Sequence, residues 1–386
     1  MPRAVKSIVS FLLLILWAPL QGQLTVEIDA KLLKCGTAYR AAAEAYRAGR
    51  VDTAAQALAR LNRSDLRTVI AVLKALREDP AQAADPSNDS KPKPMLAPLL
   101  WDRPLLLAAG MLHVDVAIAE YKQRRYDDFR YHTGVAEMVL EAADLPRAGT
   151  EEAAGNAARR STVAIALVLL GNAAATLGEE YLKNAVARFP DDVRIVLTYG
   201  TLKETDATEQ MESPPRFDDA SLFSRARATR DERLQGAATL FERALAIDPL
   251  QVEARVRLAH VRTLEHDDAR AMLLLNQALA AQPEAAWVYL ARLMLGGIQE
   301  RAGRAESAMQ LYRAALAVKP QGQSAYIALS QAMHRGGDGR AAADVLVLLF
   351  RRHLTPTSDD PWWDYPYGKW RDAEPMLEGL RLEARQ

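Results

Sequence analysis

Histidines and paired carboxylates are the side chains in this 386-residue sequence that could perform acid–base or metal chemistry. The histidines are scattered along the chain: His113, His132, His260, His266, His334 and His353. His113 and Asp115 would meet His132 if their helices packed as a hairpin, and such nitrogen and oxygen atoms suit a metal ion. Nothing in the spacing forces this convergence. We therefore expect no metal site and no cofactor, and we interpret the histidines as partly exposed helix residues.

Paired acids have a structural explanation. Asp191-Asp192, Asp267-Asp268 and Asp359-Asp360 fall at predicted helix starts or loops. At a helix start, a carboxylate accepts hydrogen bonds from free backbone amides and interacts favourably with the helix dipole. We interpret these pairs as helix caps.

Motifs for nucleophilic or phosphoryl-transfer chemistry are missing or stand in the wrong context. The sequence has no H-E-x-x-H helix, no G-x-S-x-G elbow and no phosphate-binding glycine loop. Ser90 and Lys93 have serine–lysine spacing, but they lie in a proline-rich stretch, and that chemistry needs a helix to aim the lysine. We therefore expect that the protein is not an enzyme.

Charge and cysteine content exclude further classes of function. Lysine plus arginine and aspartate plus glutamate number 49 each, so the basic excess typical of a nucleic-acid binder is missing, and we expect no nucleic-acid partner. Cys35 is the only cysteine, which excludes an intramolecular disulfide and a multi-thiolate metal site. We interpret Cys35 as a small apolar residue on a helix.

The N-terminal residues have the layout of a secretory signal. Two basic residues precede the uncharged run Ile8–Leu16, and Pro19 follows it. The run is short for a membrane span. Cleavage after Gly22 would give an exported protein, periplasmic or extracellular. The bulky Leu20 near that position leaves an uncleaved inner-membrane anchor as the alternative.

A repeated helical motif organises most of the chain. Its spacing is small-x3-large-x2-Ala-x4-Pro, and the clearest copy runs from Ala237 to Pro249. Further copies begin at Ala271 and Ala308, and a weaker one begins at Gly178. Small residues let two helices approach, the large residue fills the space beside them, and proline ends the helix because it has no amide proton. The motif therefore predicts packed helix pairs.

These residues resemble tetratricopeptide repeats (TPRs) of an exported bacterial type, clearly from Val193 to Leu354 and moderately from Ser161. The resemblance implies an all-α fold, a right-handed superhelical solenoid of antiparallel helix pairs, with an N-terminal signal segment and a non-repeat C-terminal cap. It also implies that the first helices line a concave groove that binds peptides or helices of other proteins.

Carried onto this sequence, the family's groove positions predict a partner-binding set. Its members are Arg194, Leu197, Thr201, Glu253, Val256, His260, Leu293, Ser324, Ile327 and Gln331. One row of the set is apolar: Leu197, Val256, Leu293 and Ile327. Such a row favours an amphipathic helix or apolar peptide over the terminal carboxylate that co-chaperone members clamp with lysine and asparagine. The alternative is that these apolar residues pack between neighbouring repeats.

Composition divides the rest of the chain. We predict a signal peptide over 1–22, helical hairpins over 23–78, a proline-rich linker over 79–98, the repeat array over 99–355 and a cap over 356–386. Within the array, residues 205–230 contain an expected inserted loop around Pro214-Pro215.

The predicted cap contains an aromatic cluster, Trp362, Trp363, Tyr365, Tyr367 and Trp370. We expect it to cover the apolar face of the last repeat helix, Ala341–Phe350, with a closing helix over Glu374–Glu383. The alternative is a ligand platform, for example for sugars.

The sequence therefore predicts an exported helical-repeat scaffold or adaptor that binds another protein in the cell envelope. One alternative is a glycan-binding module or envelope enzyme that uses the aromatic cluster. Another is a membrane-anchored assembly factor, if the leader is retained.

Overall fold

The computed structural model describes residues 35–64, 103–144, 157–171, 175–212, 220–351, 360–366 and 373–386. All regular secondary structure within these ranges is helical, as the repeat motif predicts. The predicted signal peptide and proline-rich linker lie outside the described residues, as do Ser90, Lys93 and His353.

The chain forms two compact units. Unit 1 consists of Met1–Ile165 and Glu374–Gln386, and unit 2 consists of Ala166–Ala373. In the sequence, unit 2 is therefore inserted between two parts of unit 1. This division runs through the predicted 99–355 array and separates the last residues of the predicted cap from unit 2.

The described part of unit 1 contains helices α1 to α5 and α16. These helices span 35–47 (α1), Val51–Ala59 (α2), Arg103–Lys122 (α3), Tyr126–Ala143 (α4), Ala157–Gly171 (α5) and Ala373–Arg385 (α16). Helix α5 continues into unit 2. Helices α3 and α4 pack on each other. Among the described residues, α3 has the length and apolar composition of a membrane span, and most of it is buried in unit 1, as in a core helix.

Ion pairs attach α16 within unit 1. Arg381 donates to Asp115 of α3 at 2.8 Å, and Asp115 also accepts a 2.6 Å hydrogen bond from Tyr46. Glu383 accepts from Arg103 at 2.9 Å and from Arg160 at 2.5 Å. The predicted closing helix thus forms, and it belongs to unit 1.

Unit 2 contains helices α6 to α15. They span Ala175–Arg188 (α6), Val193–Glu212 (α7), Ala220–Ile247 (α8), Val252–Leu264 (α9), Asp268–Ala280 (α10), Ala285–Arg301 (α11), Ala305–Val318 (α12), Gln323–Arg335 (α13), Gly339–Arg351 (α14) and Pro361–Asp364 (α15). Two of the predicted caps are confirmed. Asp192 accepts from the Ile195 amide at the start of α7, and Asp267 accepts from the Arg270 amide at the start of α10.

Helices of unit 2 pack in consecutive pairs, α7 with α8, α9 with α10, α11 with α12 and α13 with α14. The first helices also contact one another along the row α7, α9, α11 and α13. The motif accounts for the pairing. A Cβ on Gly200 would lie 2.6 Å from the ring of Phe241, and one on Gly296 would lie 2.3 Å from the ring of Tyr312. A glycine on the first helix of each of these two pairs therefore leaves room for the aromatic ring of the motif on the second helix.

The region 205–230, which was expected to contain an inserted loop, is helical at both of its ends. Helix α7 continues to Glu212 and α8 begins at Ala220, while residues 213–219 lie outside the described part. Nothing before Pro214 breaks the helix, and Arg233 of α8 donates to Asp206 of α7 at 2.9 Å. Both helices therefore extend into this region, and the inserted loop around Pro214-Pro215 stays a prediction.

Candidate functional site

The candidate site is the surface of α7, α9, α11 and α13, which we call the first-helix surface. The short segment Asp360–Pro366, with the sequence DPWWDYP and here called the DPW segment, lies on this surface. Helix α15 within the segment packs on α11.

Arg257 of α9 is the centre of a buried ionic cluster and is 0% exposed. Its Nε donates to Glu253 at 2.7 Å, one turn away on the same helix, and its Nη1 donates to Glu204 of α7 at 2.8 Å. Its Nη2 donates to the backbone carbonyl of Tyr365 at 2.9 Å. Burial alone would lower the pKa of Arg257, but Glu204 and Glu253 raise it above its usual range, so the guanidinium stays charged.

Glu204 joins α7, α9 and the DPW segment. Its Oε1 accepts from the Tyr365 hydroxyl at 2.5 Å and lies 2.7 Å from Nδ1 of His260. Burial raises the pKa of the Glu204 carboxyl, but Arg257 and the hydrogen bonds from His260 and Tyr365 together hold it below its usual value. Burial, and then the charge of Glu204, raise the pKa of Tyr365 well above its usual value. The pair is therefore a carboxylate that accepts from a neutral phenol.

An aromatic group packs around this cluster. The rings of Trp362 and Tyr365 are stacked, with centroids 5.6 Å apart and an interplanar angle of 4°. His260 contacts both rings edge-on, and the Arg257 guanidinium lies 4.4 Å from the centre of the Tyr365 ring. Val256 belongs to the same apolar core as Tyr365. These contacts combine ring stacking with a cation–π interaction in a largely dry environment.

Asp360 binds the surface at the start of α13. Its carboxylate accepts from the Ser324 amide at 2.6 Å and from the amide of Trp362 at 2.9 Å. Gly322, the N-cap residue of α13, has no side chain to accept this bond, so the distant Asp360 takes that role. Tyr289 of α11 also bonds Asp360, and burial followed by this carboxylate raises the pKa of its phenol. At the other end of the segment, Thr205 donates to the Pro366 carbonyl at 2.5 Å.

Several predicted groove residues meet at the DPW segment. Val256 and His260 contact its aromatic rings, and Ser324 donates to Asp360 through its amide. Glu253 reaches the segment through Arg257. The first-helix surface brings these residues together, and the polypeptide lying on them is the chain's own.

The other predicted groove residues lie elsewhere. Leu197 and Thr201 are buried, and the Thr201 hydroxyl donates to the Leu197 carbonyl one turn earlier. Leu293 is half-buried against the apolar core. The burial of Leu197 and Val256 favours the alternative in which these two residues pack between helices. Exposed positions on the first-helix row are Ile327, at 48%, and Gln331, while Arg194 pairs with Asp192.

Three functional candidates were missed by the sequence analysis: Glu204, Arg257 and Tyr289. Glu204 adjoins the segment that was expected to be a loop. Glu253, Arg257 and His260 share one face of α9 by their spacing, but a glutamate and an arginine four residues apart are typical of a solvated helix surface. The sequence signal that could have identified the site is the presence of the apolar residues Val256 and Ala259 among these charged residues. In the structure, both apolar residues are buried.

The aromatic cluster does not cover the last repeat helix in the described part of the chain. Trp362 and Tyr365 lie on α9 and α11, and Trp363 is 48% exposed. On α14, Leu348 and Phe350 are 51% and 75% exposed. In this part of the chain, Asp360 and Tyr365 find their hydrogen-bonding partners on the first-helix surface and not on α14. Tyr367 and Trp370 lie outside the described residues.

The histidine hairpin in unit 1 forms without a metal-binding arrangement. Nδ1 of His113 lies 2.8 Å from Nδ1 of His132, whereas Asp115 bonds Tyr46 and Arg381. Among the described residues, no group of three or more metal-ligating side chains is present. His113 is fully buried, which contradicts the expected partial exposure, and Cys35 is buried on α1.

No protein-family model matches the sequence, and no curated protein is significantly similar to it. Solved structures with a similar fold include MamA from Desulfovibrio magneticus RS-1, with 18% identity and a TM-score of 0.38, over 51% of this chain and 96% of that one. TTC0263, a TPR protein from Thermus thermophilus, has 18% identity and a TM-score of 0.36, and the match covers 58% of this chain and 98% of that one. A human IFIT1 dimer with m7Gppp-AAAA has 16% identity and a TM-score of 0.38, and the match covers 79% of this chain and 68% of that one.

The fold assignment itself rests on this chain's own residues. The motif places a large side chain against a glycine of the preceding helix, the helices pack in consecutive pairs, and the first helices pack along a row. In motif and in helix pairing, unit 2 resembles an array of tetratricopeptide repeats.

Proposed function

We propose that the protein is a protein-interaction scaffold whose first-helix surface binds polypeptide segments of partner proteins. The observation that carries this proposal is that the surface already holds a polypeptide segment, the DPW segment, through backbone and side-chain contacts. Arg257 binds a backbone carbonyl, and the Ser324 amide binds a side-chain carboxylate.

The groups that bind the segment are ordered before any partner arrives. Arg257 is held by Glu253 and Glu204, and Glu204 is also held by His260. A surface whose polar groups are fixed in place loses little side-chain entropy on binding, which favours affinity. Contacts to backbone groups supply affinity for polypeptide in general, while the aromatic contacts select among side chains.

Two exposed apolar residues allow a matched test. Ile327 lies on first helix α13 and Leu348 on second helix α14, with exposures of 48% and 51%. We expect full-length protein carrying Ile327→Glu to retain at least tenfold less partner protein from a native cell-envelope extract, because the charge would stand on the binding surface. Leu348→Glu should retain as much as the unmodified chain.

Retained proteins are quantified by mass spectrometry after affinity purification. Equal losses in both variants, or no loss in either, would contradict binding on the first-helix surface. Circular dichroism checks that both variants keep their helical content.

Export to the cell envelope is part of the proposal and is supported by the charged, apolar and proline-ended order of the first residues. N-terminal sequencing of the native protein tests it, with Gln23 expected near the mature start. A retained Met1 on membrane-associated protein would support the anchored alternative.

The expectation that the scaffold binds no nucleic acid rests on its balanced charge. The human IFIT1 structure named above contains a capped RNA, so a capped RNA oligonucleotide is the appropriate counter-ligand. Salt-sensitive binding of that oligonucleotide at micromolar protein would contradict the expectation.

A further inference from the structure

We propose that the DPW segment is an intramolecular ligand that occupies the peptide site of unit 2, and that partner segments with the same acidic–aromatic pattern compete with it. This inference rests on the proposed function and deepens it, because it names the class of peptide that binds and the step that must precede binding.

The site is complete without the segment. If Tyr365 leaves, Arg257 keeps its bonds to Glu253 and Glu204, and Glu204 keeps its contact with His260. Buried charges that stay paired avoid the large penalty of an isolated ion. The departure of Tyr365 breaks the Arg257 bond to a carbonyl and the Glu204 bond to a phenol, and a second polypeptide can replace both.

Three contacts along the segment define the pattern that the site recognises. The Asp360 carboxylate accepts from the Ser324 amide of α13, the Trp362 ring lies beside His260, and the Tyr365 hydroxyl donates to Glu204. The matching ligand is a short segment with an acidic residue, an aromatic residue two positions later and a tyrosine five positions after the acid. Trp363, which is half-exposed, is not part of the pattern.

Attachment within the same chain gives the DPW segment an advantage over a free ligand. A tethered ligand acts at an effective concentration in the millimolar range when its linker is short and flexible. A free peptide of the same sequence must therefore compete, and weakening the tethered copy should raise the apparent affinity of the free one.

Peptide binding to two full-length variants tests this competition. The probe is a fluorescein-labelled peptide of residues 358–368, followed by fluorescence anisotropy. Trp362→Ala removes the stacking on Tyr365 and the contact with His260, so we expect it to bind the probe at least tenfold more tightly than the unmodified chain. Trp363→Ala, the adjacent tryptophan, should leave the affinity unchanged. Equal affinities in folded Trp362→Ala and Trp363→Ala, or no binding by Trp362→Ala, would overturn the proposal.

Hydrogen exchange on the unmodified chain provides a second test, which does not depend on whether a variant folds. The Trp363 and Tyr365 amides are hydrogen-bonded within the segment, to the carbonyls of Asp360 and Pro361. If the segment is a displaceable ligand, these amides should exchange at least a hundredfold faster than the amides of α9 and α11, and excess unlabelled peptide should accelerate them further. Exchange of the segment only at the rate of α9 would show that it is a fixed part of the core.

The two proposals fail in different ways. The competition tests use only this chain and its own peptide, so they give an answer whether or not a partner protein is captured. If partner retention depends on Ile327 while the DPW segment never opens, the scaffold proposal stands and the intramolecular ligand is rejected.

Discussion

Arg257 is a residue whose removal should have a large effect on stability. It is fully buried between two carboxylates, and its removal would leave Glu204 and Glu253 charged and short of partners. Breaking a buried ion pair in this way typically costs about 3–5 kcal/mol. Removing Arg257 should therefore cost more than breaking an exposed ion pair, which contributes about 0–1 kcal/mol.

We expect Arg257→Met to lower the free energy of unfolding of unit 2 by about 3–5 kcal/mol, because it removes the charge that is paired with the buried Glu204 and Glu253. The matched control is Arg255→Ala on the same helix, whose side chain is more exposed and bonds the Pro249 carbonyl; its effect should stay within about 0.5 kcal/mol. Urea unfolding followed by circular dichroism measures both. A decrease smaller than about 1 kcal/mol for Arg257→Met would show that the cluster contributes little.

The His113–His132 pair predicts a pH dependence for unit 1. Burial, followed by the interaction with His132, lowers the pKa of His113 well below its usual value. Burial is also the main cause of the lower pKa of His132, which is about 4. The unfolded chain therefore takes up protons below about pH 6.5 that the folded chain does not, so stability is full above that pH and falls towards pH 4. Each neutral imidazole should account for about 1–2 kcal/mol between pH 7 and pH 5.

The measurement is the urea midpoint of full-length protein between pH 7.5 and pH 5, a window above the usual carboxylate pKa range. His132→Asn should reduce the slope. Identical slopes in the unmodified chain and His132→Asn would contradict the predicted cause.

At the scale of the element, local spacing predicted much of what the structure contains. The copies of the motif identified the second helices α8, α10 and α12, because small and large residues on one face are a local property of a helix. The end of α7 and the beginning of α8 were missed because helices that pack on each other can continue far beyond a repeat. The site of the DPW segment was missed because Asp360 and Ser324 are distant in sequence, and no spacing reveals that a carboxylate will bind another helix's first amides.

Helix α16 gives a prediction about truncation. Its Leu377, Leu380 and Ala384 are buried within unit 1, and Arg381 pairs with Asp115. Ending the chain after Ala373 should therefore lower the unfolding free energy of unit 1 by at least about 3–4 kcal/mol, since burying one leucine side chain contributes about 1.5–3 kcal/mol, while the stability of unit 2 is kept. Hydrogen exchange resolved along the chain measures the two units separately.

Ending the chain after Thr357 provides the comparison. That truncation also removes the DPW segment, so it should additionally increase exchange in α9 and α11 and leave the first-helix surface open to the labelled peptide. If both truncations changed only unit 2, the assignment of α16 to unit 1 would be wrong.

At the scale of the whole molecule, the two units differ in how the sequence builds them. Unit 2 is continuous from Ala166 to Ala373, with its repeat motif and its own ligand-like segment inside these bounds. Unit 1 combines residues up to Ile165 with Glu374–Gln386. Substitutions in the repeats should therefore act on unit 2, whereas changes near residue 380 act on unit 1.

The discontinuity of unit 1 sets an order of events during synthesis. A ribosome releases the apolar helix α3 long before it translates α16, whose Arg381 binds Asp115 of that helix. Domains fold as their residues emerge, so unit 2 can be finished while unit 1 still lacks a part. Helix α3 can therefore pack on α4 soon after both are synthesised, whereas its Asp115 gains the ion pair with Arg381 only after α16 has been translated.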